Sequence, residues 1–531
     1  MYFLINPEIR KKKLSIVDYA QIFFVFSLTL LIASTFARLG IDPHHQGIMF
    51  NAAIRLEKGY MLYRDTYFYY GALTALIHAF SLKLFGHYLV VIQLLTAFVY
   101  SIISIIMWLI WRKFLPSFLS TLICLIWLFL APYYLGYVWE FLPWSSNIAL
   151  LFSLLAAYFL IISIESNSRI ATLLVGIFVS FTFWARQSVG LLLFFAILLF
   201  FLFLLFYKIF NKEKDEDISS HIKSYLLGNL LVFTIFVAWL ALNDALIKYV
   251  EYSFIGQYNY FIGSKNIFNT LFDTMKGLLP RKTIMGEGGI FNYFWMILPL
   301  LPLILFFTIL TNFLFLKKYS KNMCILLSFI FVCLSSWLQY YPVLCVRHAY
   351  WAATPAIGFI VFIIWQAIKA AYHYYREKEL SASIFYGVLC FIIFSYFSIT
   401  LYQIISFRIK RGIETIKMYP SEIKNNSILS GMKVTPSQNA GLQILYETIN
   451  EYTKKYPHTT IKSMTHPPNY LYTALYITKN EKVTNNYRIL IQAQTKQELT
   501  NYYELIHIKM DHPLAYEGDE IYLYAPIENN K

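Results

Sequence analysis

Just after the first long apolar run the chain reads IDPHHQG, residues 41–47. Asp42, His44 and His45 put a carboxylate and two imidazoles into four positions, groups able to move protons near neutral pH. Asp42 has a structural alternative, because an Asp before Pro43 can open a turn or cap the following helix. A second carboxylate, Asp65, lies in YRDTYFYYG further along the same stretch. Adjacent side chains on an extended chain point to opposite sides, which argues against His44 and His45 sharing one ion. A hydrogen bond from one of them to a substrate fits better. Glu140 is the one ionised group in YYLGYVWEFLPWSSN, among Tyr133, Tyr134, Tyr137, Trp139, Phe141 and Trp144. Such rings make an interfacial belt or a surface on which a sugar stacks, with the carboxylate holding hydroxyls.

The cations are equally sparse. Arg186, with Gln187, interrupts an otherwise apolar hairpin in FWARQSVG (183–190). An arginine at mid-membrane costs about 2.5–3.5 kcal/mol on insertion scales, so it needs the interface or a partner. It either snorkels at a helix end or anchors an anion, a phosphate or a carboxylate. Arg347 and His348 lie in QYYPVLCVRHAYWAATP (339–355) between two apolar runs. A guanidinium fork suits phosphate, and His348 can share that contact or protonate a leaving phosphate. Arg281 and Lys282 offer phosphate contacts or a headgroup-facing pair. Gly286–Gly289 lacks the Lys-Ser/Thr of a phosphate loop and reads as a flexible turn.

Long apolar elements must carry these groups. The 531 residues are 58% hydrophobic and 14% charged, against about 25% charged in a soluble protein. That excludes a disordered chain and most cytosolic enzymes. Including a first helix at about Val17–Phe36, about eleven stretches have the length of a membrane span between residues 16 and 405. The first is too long for a signal-peptide core. Of the net +15, only about three charges fall after Phe407. The surplus sits in short loops that obey the positive-inside rule: Arg112-Lys113, Arg169, residues 211–217, Lys317-Lys318 and Arg376. This puts the N-terminus in the cytoplasm and the polar tail outside. It gives no basic soluble face for nucleic acid. The loops left outside are 38–69, 133–144, 243–292 and 340–350. Within the first, Gln46–Lys58 reads as an amphipathic surface helix, and Tyr70–Phe85 is short for a span, so an interfacial or re-entrant helix is expected. No cysteine lies in the tail, so neither a disulfide framework nor a cysteine-rich metal site is expected. The fold class is mainly α: a polytopic membrane domain over residues 1–406 and a small extracytoplasmic α/β domain over 407–531. In that tail Thr435–Lys455 and Gln497–Ile508 read as helices. Thr460–Met464, Leu471–Ile477, Tyr487–Gln492 and Glu520–Tyr524 read as strands.

An acid just after the first membrane helix, a surface helix and then G…YRD…YGALTALIHAFSLKLFG resemble the GT-C superfamily, as do FWARQSVG and QYYPVLCVRHAYWAATP. These are membrane glycosyltransferases that use polyprenyl-phosphate sugars, such as lipid A aminoarabinose transferases and protein O-mannosyltransferases. The resemblance implies a sugar donor on a polyprenyl phosphate, and a hydroxyl acceptor on a cell-envelope glycolipid, polysaccharide or protein. It implies inversion at the anomeric carbon, at the outer face of a bacterial inner membrane. It implies a catalytic Asp in the first outer loop, matched by Asp42, with Asp65 as the other candidate. Many relatives carry an acid beside the glycine where this chain has His45-Gln46-Gly47. Some members use a divalent metal, Mg or Mn; no ligand is assigned here. Two other classes remain: a lipid-linked glycan flippase, disfavoured by the lack of an internal repeat, and an O-antigen polymerase or ligase, whose chemistry would lie in 243–292.

Overall fold

A computed structural model describes residues 7, 9, 13–131, 133–134, 137–138, 141–210, 216–256, 290–315, 320–337, 346–424, 428–456, 460–463, 488–493, 502–510 and 520–526. Helix α1 (Ile16–Ala37) starts at a capping box in which Ser15 and Asp18 exchange hydrogen bonds. Asp18 also pairs with Arg112 at 3.2 Å, tying α1 to the basic end of α4 (Leu89–Phe114). Beside it Lys113 reaches Glu165 on α6 (Ser145–Ser166) at 2.5 Å. Between α1 and α4 come α2 (His45–Glu57) and α3 (Ala72–Phe85). After α4 comes α5 (Ser117–Phe129), followed by the hairpin β1 (Tyr133–Tyr134) and β2 (Tyr137–Val138).

The chain then continues through α7 (Arg169–Ala185), α8 (Gln187–Phe210) and α9 (Glu216–Leu242). The short α10 (Leu246–Val250) runs into a π-helical turn at Glu251–Ile255. Next come α11 (Ile290–Phe315), α12 (Lys321–Ser335), α13 (Val346–Ala353), α14 (Gly358–Arg376) and α15 (Leu380–Met418). Among the described residues, seven helical stretches are long and apolar enough to cross a bilayer, and five more apolar helices are shorter. The outer helices present large apolar side chains outward, such as Phe391 and Phe394 of α15 and Leu230 of α9. That exposure is stable only in lipid. The protein is a multi-span membrane protein.

One expectation needs correction here, and one expected boundary falls inside a helix. The helix expected to lie on the membrane surface is α2, yet residues 46–54 are all buried. It packs on α3, and its polar Arg55 and Glu57 are half-buried. The boundary expected at 406/407 falls inside α15, which runs on to Met418. Arg408, Lys410 and Arg411 lie inside this helix, with Arg408 fully buried.

Beyond α15, β3 (Ser421–Glu422) pairs antiparallel with β4 (Lys433–Val434). Helix α16 (Pro436–Lys455) starts from a Thr435/Gln438 capping box with Pro436 in the first turn, a favoured start. A four-stranded sheet follows, in the order β5 (Thr460–Ser463), β6 (Arg488–Ala493), β8 (Glu520–Pro526), β7 (Tyr502–Lys509). β5 and β6 are parallel, and the other pairs are antiparallel. Residues 502–508, expected in a helix, form β7 instead. Buried Ile508 lies between exposed His507 and Lys509, an alternation that suits a strand against β8. The strand expected at Leu471–Ile477 lies outside the described residues.

This small domain is bonded to the loop between α1 and α2. The Gly40 amide donates to Lys433 O at 2.8 Å, and the Lys433 amide donates to Arg38 O at 2.8 Å. Arg38 Nε donates to Gly431 O at 3.0 Å, and its guanidinium meets Glu422 at 3.3 Å.

Candidate active site

The loop joining α1 to α2 is shaped by Asp42. Its Oδ1 accepts the backbone N–H groups of His44 at 3.1 Å and His45 at 2.8 Å, and Oδ2 lies 2.6 Å from His45 Nδ1. Gln46 Oε1 accepts the Asp42 amide at 3.0 Å. The carboxylate thus satisfies donors at the N-terminus of α2, where a helix leaves N–H groups without intrahelical partners, and also orients an imidazole. Asp42 is buried. Burial alone would raise its carboxyl, but the His45 ring, the His45 amide and the charge of Arg347 hold it below the usual carboxylate range.

Arg347 lies in the first turn of α13, is itself buried, and is near enough for its charge to act on Asp42. It also acts on Tyr70, as does Arg186. Burial pushes the Tyr70 hydroxyl above its usual range, while the charges of Arg186 and Arg347 pull against that. A backbone crossing sets Tyr70 beside Arg186. At Gly71 a Cβ would lie 1.9 Å from Trp184 O, so the start of α3 touches the end of α7 directly. Gly190 makes the matching contact after the turn, where a Cβ would lie 2.2 Å from Phe183 Cα. Arg186 sits at the tip of that tight hairpin and donates to Ser146 Oγ on α6. Trp144 completes the cluster, its ring centroid 5.1 Å from His45 and 5.2 Å from Tyr70. Asp42, His45, Tyr70, Trp144, Arg186 and Arg347 therefore converge from five separate segments.

Of the other expected residues, His44 lies against the cluster and the rest do not join it by any described contact. His44 stacks edge-on against His45 at 4.9 Å. His348 packs 5.8 Å from Trp351, whose Nε1 donates to the Tyr100 hydroxyl at 3.1 Å. Both oxygens of Asp65 are bound by Arg64, at 2.9 Å each, and Oδ2 also accepts the Met61 amide at 2.8 Å. Arg64 in turn donates to Asn243 O at 3.2 Å. Asp65 fastens a turn that contains Tyr63 at positive φ, and no described contact ties it to the Asp42 loop. Glu140, Arg281 and Lys282 lie outside the described residues. Tyr70, Trp144, Ser146 and Gln46 had no individual signal among so many aromatic and small polar residues. Arg408 on α15 was also missed. It is fully buried, with its charge felt by Tyr350 one turn along from Arg347.

The Asp42 loop does not fit a divalent metal. Among the described residues no three His, Cys, Asp or Glu side chains are grouped to hold an ion, and the Asp42 oxygens are directed at protein donors. Beside the Arg186 hairpin an apolar cavity of about 400 Å³ lies between α7, α8 and α9, lined by Phe183, Gly190, Leu191, Phe194 and Phe233.

A helical bundle of this order, followed by a small α/β domain, is a fold known among solved structures. Among solved structures it is similar to ArnT from Cupriavidus metallidurans bound to undecaprenyl phosphate, with a TM-score of 0.50 at 9% identity over 97% of this chain and 98% of that one. The oligosaccharyltransferase AglB from Archaeoglobus fulgidus, in complex with an inhibitory peptide and a dolichol-phosphate, gives 0.49 at 12% identity over 89% of this chain and 62% of that one. This chain thus spans about three fifths of the archaeal protein's length. No protein-family profile matches the sequence, and no curated protein sequence matches it.

Proposed function

We propose that the chain is a membrane glycosyltransferase. It takes a sugar from a polyprenyl-phosphate-linked donor and passes it to an acceptor hydroxyl on a cell-envelope glycolipid, polysaccharide or protein, at the outer face of a bacterial inner membrane. The observation that carries this reading is the convergence of Asp42–His45, Arg186 and Arg347 around two aromatic rings at one side of the bundle. Arg347 and Arg186 are placed to stabilise the charge that builds on a departing lipid phosphate, a task fixed cations perform well in a site shielded from water. Trp144 and Tyr70 offer ring faces for a sugar. The Asp42–His45 pair faces the acceptor. The apolar cavity starting at Gly190, four residues from Arg186, suits an isoprenoid chain reaching in from the lipid. Displacement from the side opposite the phosphate inverts the anomeric carbon.

The test is transfer from a labelled polyprenyl-phosphate hexose or aminosugar by the purified protein in nanodiscs, with membrane extract as acceptor. Wild-type transfer with at least a 100-fold loss in Arg347→Ala supports the reading, the size expected on removing a stabiliser of transition-state charge. Transfer by Arg347→Ala and Asp42→Asn at the wild-type rate would overturn it.

A further inference from the structure

The proton of the acceptor hydroxyl needs a destination, and the geometry of the Asp42 loop bears on which atom receives it. Asp42 Oδ1 already accepts two amide N–H groups, and Oδ2 lies 2.6 Å from His45 Nδ1. A carboxylate so engaged is a poor proton acceptor, all the more because His45 and Arg347 hold it below its usual range. The bond to Nδ1 has a second effect. It fixes the proton of the neutral ring on Nδ1 and puts the lone pair on Nε2, at the far edge of the imidazole. That edge belongs to a ring packed against Trp144, which in turn meets Tyr70.

We propose that His45, through Nε2, is the base that accepts the acceptor's proton, and that Asp42 is the positioning residue which sets its tautomer and orientation. The inference rests on the glycosyl-transfer reading and assigns the proton within it. The acceptor oxygen forms a bond to the anomeric carbon, and the bond from that carbon to the phosphate oxygen breaks. The bonding pair leaves with the lipid phosphate beside Arg347 and Arg186. The hydroxyl proton passes to Nε2, and the imidazolium, paired with Asp42, later returns it to water. Among the described residues, Asp42 and His44 on its own loop meet the ring directly, Tyr70 lies beyond Trp144, and the charges of Arg347 and Arg186 act on Asp42 and Tyr70 respectively. An imidazole changes charge between about pH 5 and 8, the range in which a base is most effective.

The deciding experiment compares His45→Asn with wild type, using a labelled polyprenyl-phosphate hexose as donor and membrane extract as acceptor. An asparagine amide reaches the Nδ1 position and keeps the bond to Asp42, but it offers nothing at Nε2. A ring that only holds the loop would be replaced by it. For a base, kcat/KM falls at least 100-fold, and the wild-type rise in kcat/KM with pH through one ionisation disappears. Asp42→Asn also loses kcat, and Asp42→Asn/His45→Asn is no worse than His45→Asn alone, as for residues acting as a unit. His45→Asn within about fivefold of wild type, with the wild-type pH profile, overturns the inference while leaving the transferase reading intact. A wild-type protein that transfers no sugar overturns both. If His45→Asn does not fold, His45→Gln, which fills the Nε2 position with an amide that cannot accept the proton, is read by the same criteria.

Discussion

Asp42 faces two ways, toward the amides that begin α2 and toward an imidazole, so its removal has two separable effects. Asp42→Asn should lower transfer by about 10²–10⁴-fold, measured as kcat/KM with a labelled donor. The second effect is on acid stability. Because the folded carboxyl is held below its ordinary value of 3.8, its stabilising contribution is fully present at neutral pH and is lost as pH falls through the lowered value. A thermal-melt series from pH 7 to 3 in detergent should therefore show wild type losing an increment that Asp42→Asn lacks. Asp65 behaves differently. Its oxygens close a turn with Arg64 and Met61, so Asp65→Ala should cost about 1–3 kcal/mol of stability, the range for hydrogen bonds to a charged group. At permissive temperature it should leave kcat near wild type; a kcat loss matching that of Asp42→Asn would contradict this. At this scale the sequence is uneven. Charged side chains stand out in a chain with only 14% of them, which is why Asp42, Arg186 and Arg347 are conspicuous. A useful ring is not conspicuous among 43 tyrosines and 11 tryptophans, and Tyr70 and Trp144 gain meaning only from what they touch.

The elements that carry these residues meet at two glycines. Gly71 lets the start of α3 lie on the Trp184 carbonyl, and Gly190 closes the α7–α8 hairpin around Arg186. A Cβ at either position forces backbone apart. Gly71→Val should therefore shift Tyr70 from Arg186 and reduce transfer by about 100-fold, the loss that accompanies a misplacement of roughly 1 Å. A Gly71→Val protein with wild-type kcat/KM would show that the crossing does not position the site. Hydropathy reveals the helices but not this crossing, because a glycine in an apolar run records only an absent side chain. The same limit explains α2. Its polar residues suggested one wet face, but the pattern cannot say that α3 packs on the helix and that Arg55 and Glu57 are half-buried. Residues 502–508 show the reverse case, where pairing with β8 overrides a helix-like composition.

At the scale of the whole molecule, the bundle is bounded by lipid and clasped at residues 38–40 by the C-terminal domain. Exposed apolar side chains on α1, α9 and α15 require a bilayer, and a fold of many membrane helices is what their run lengths imply. The contact between β4 and residues 38–40 is not visible in sequence, since nothing in two short polar segments announces a pairing across 393 residues. Lys433→Pro removes the amide that donates to Arg38 O and should lower transfer at least tenfold, because the bond sits two to four residues from Asp42. Unchanged kcat in a well-folded Lys433→Pro protein would mean the Asp42 loop holds itself.

That same contact sets an order of assembly. Residues 38–40 leave the ribosome early, and their partner at Lys433 arrives only after the membrane helices up to α15 have been made. The Asp42 loop therefore gains its final restraint last, and a half-inserted chain carries an unfinished site. Pulse-labelling with a cysteine pair at Leu39 and Lys433 should show the crosslink forming only after translation passes the tail, so that a partly built bundle in the membrane holds the Asp42 loop without its last clasp.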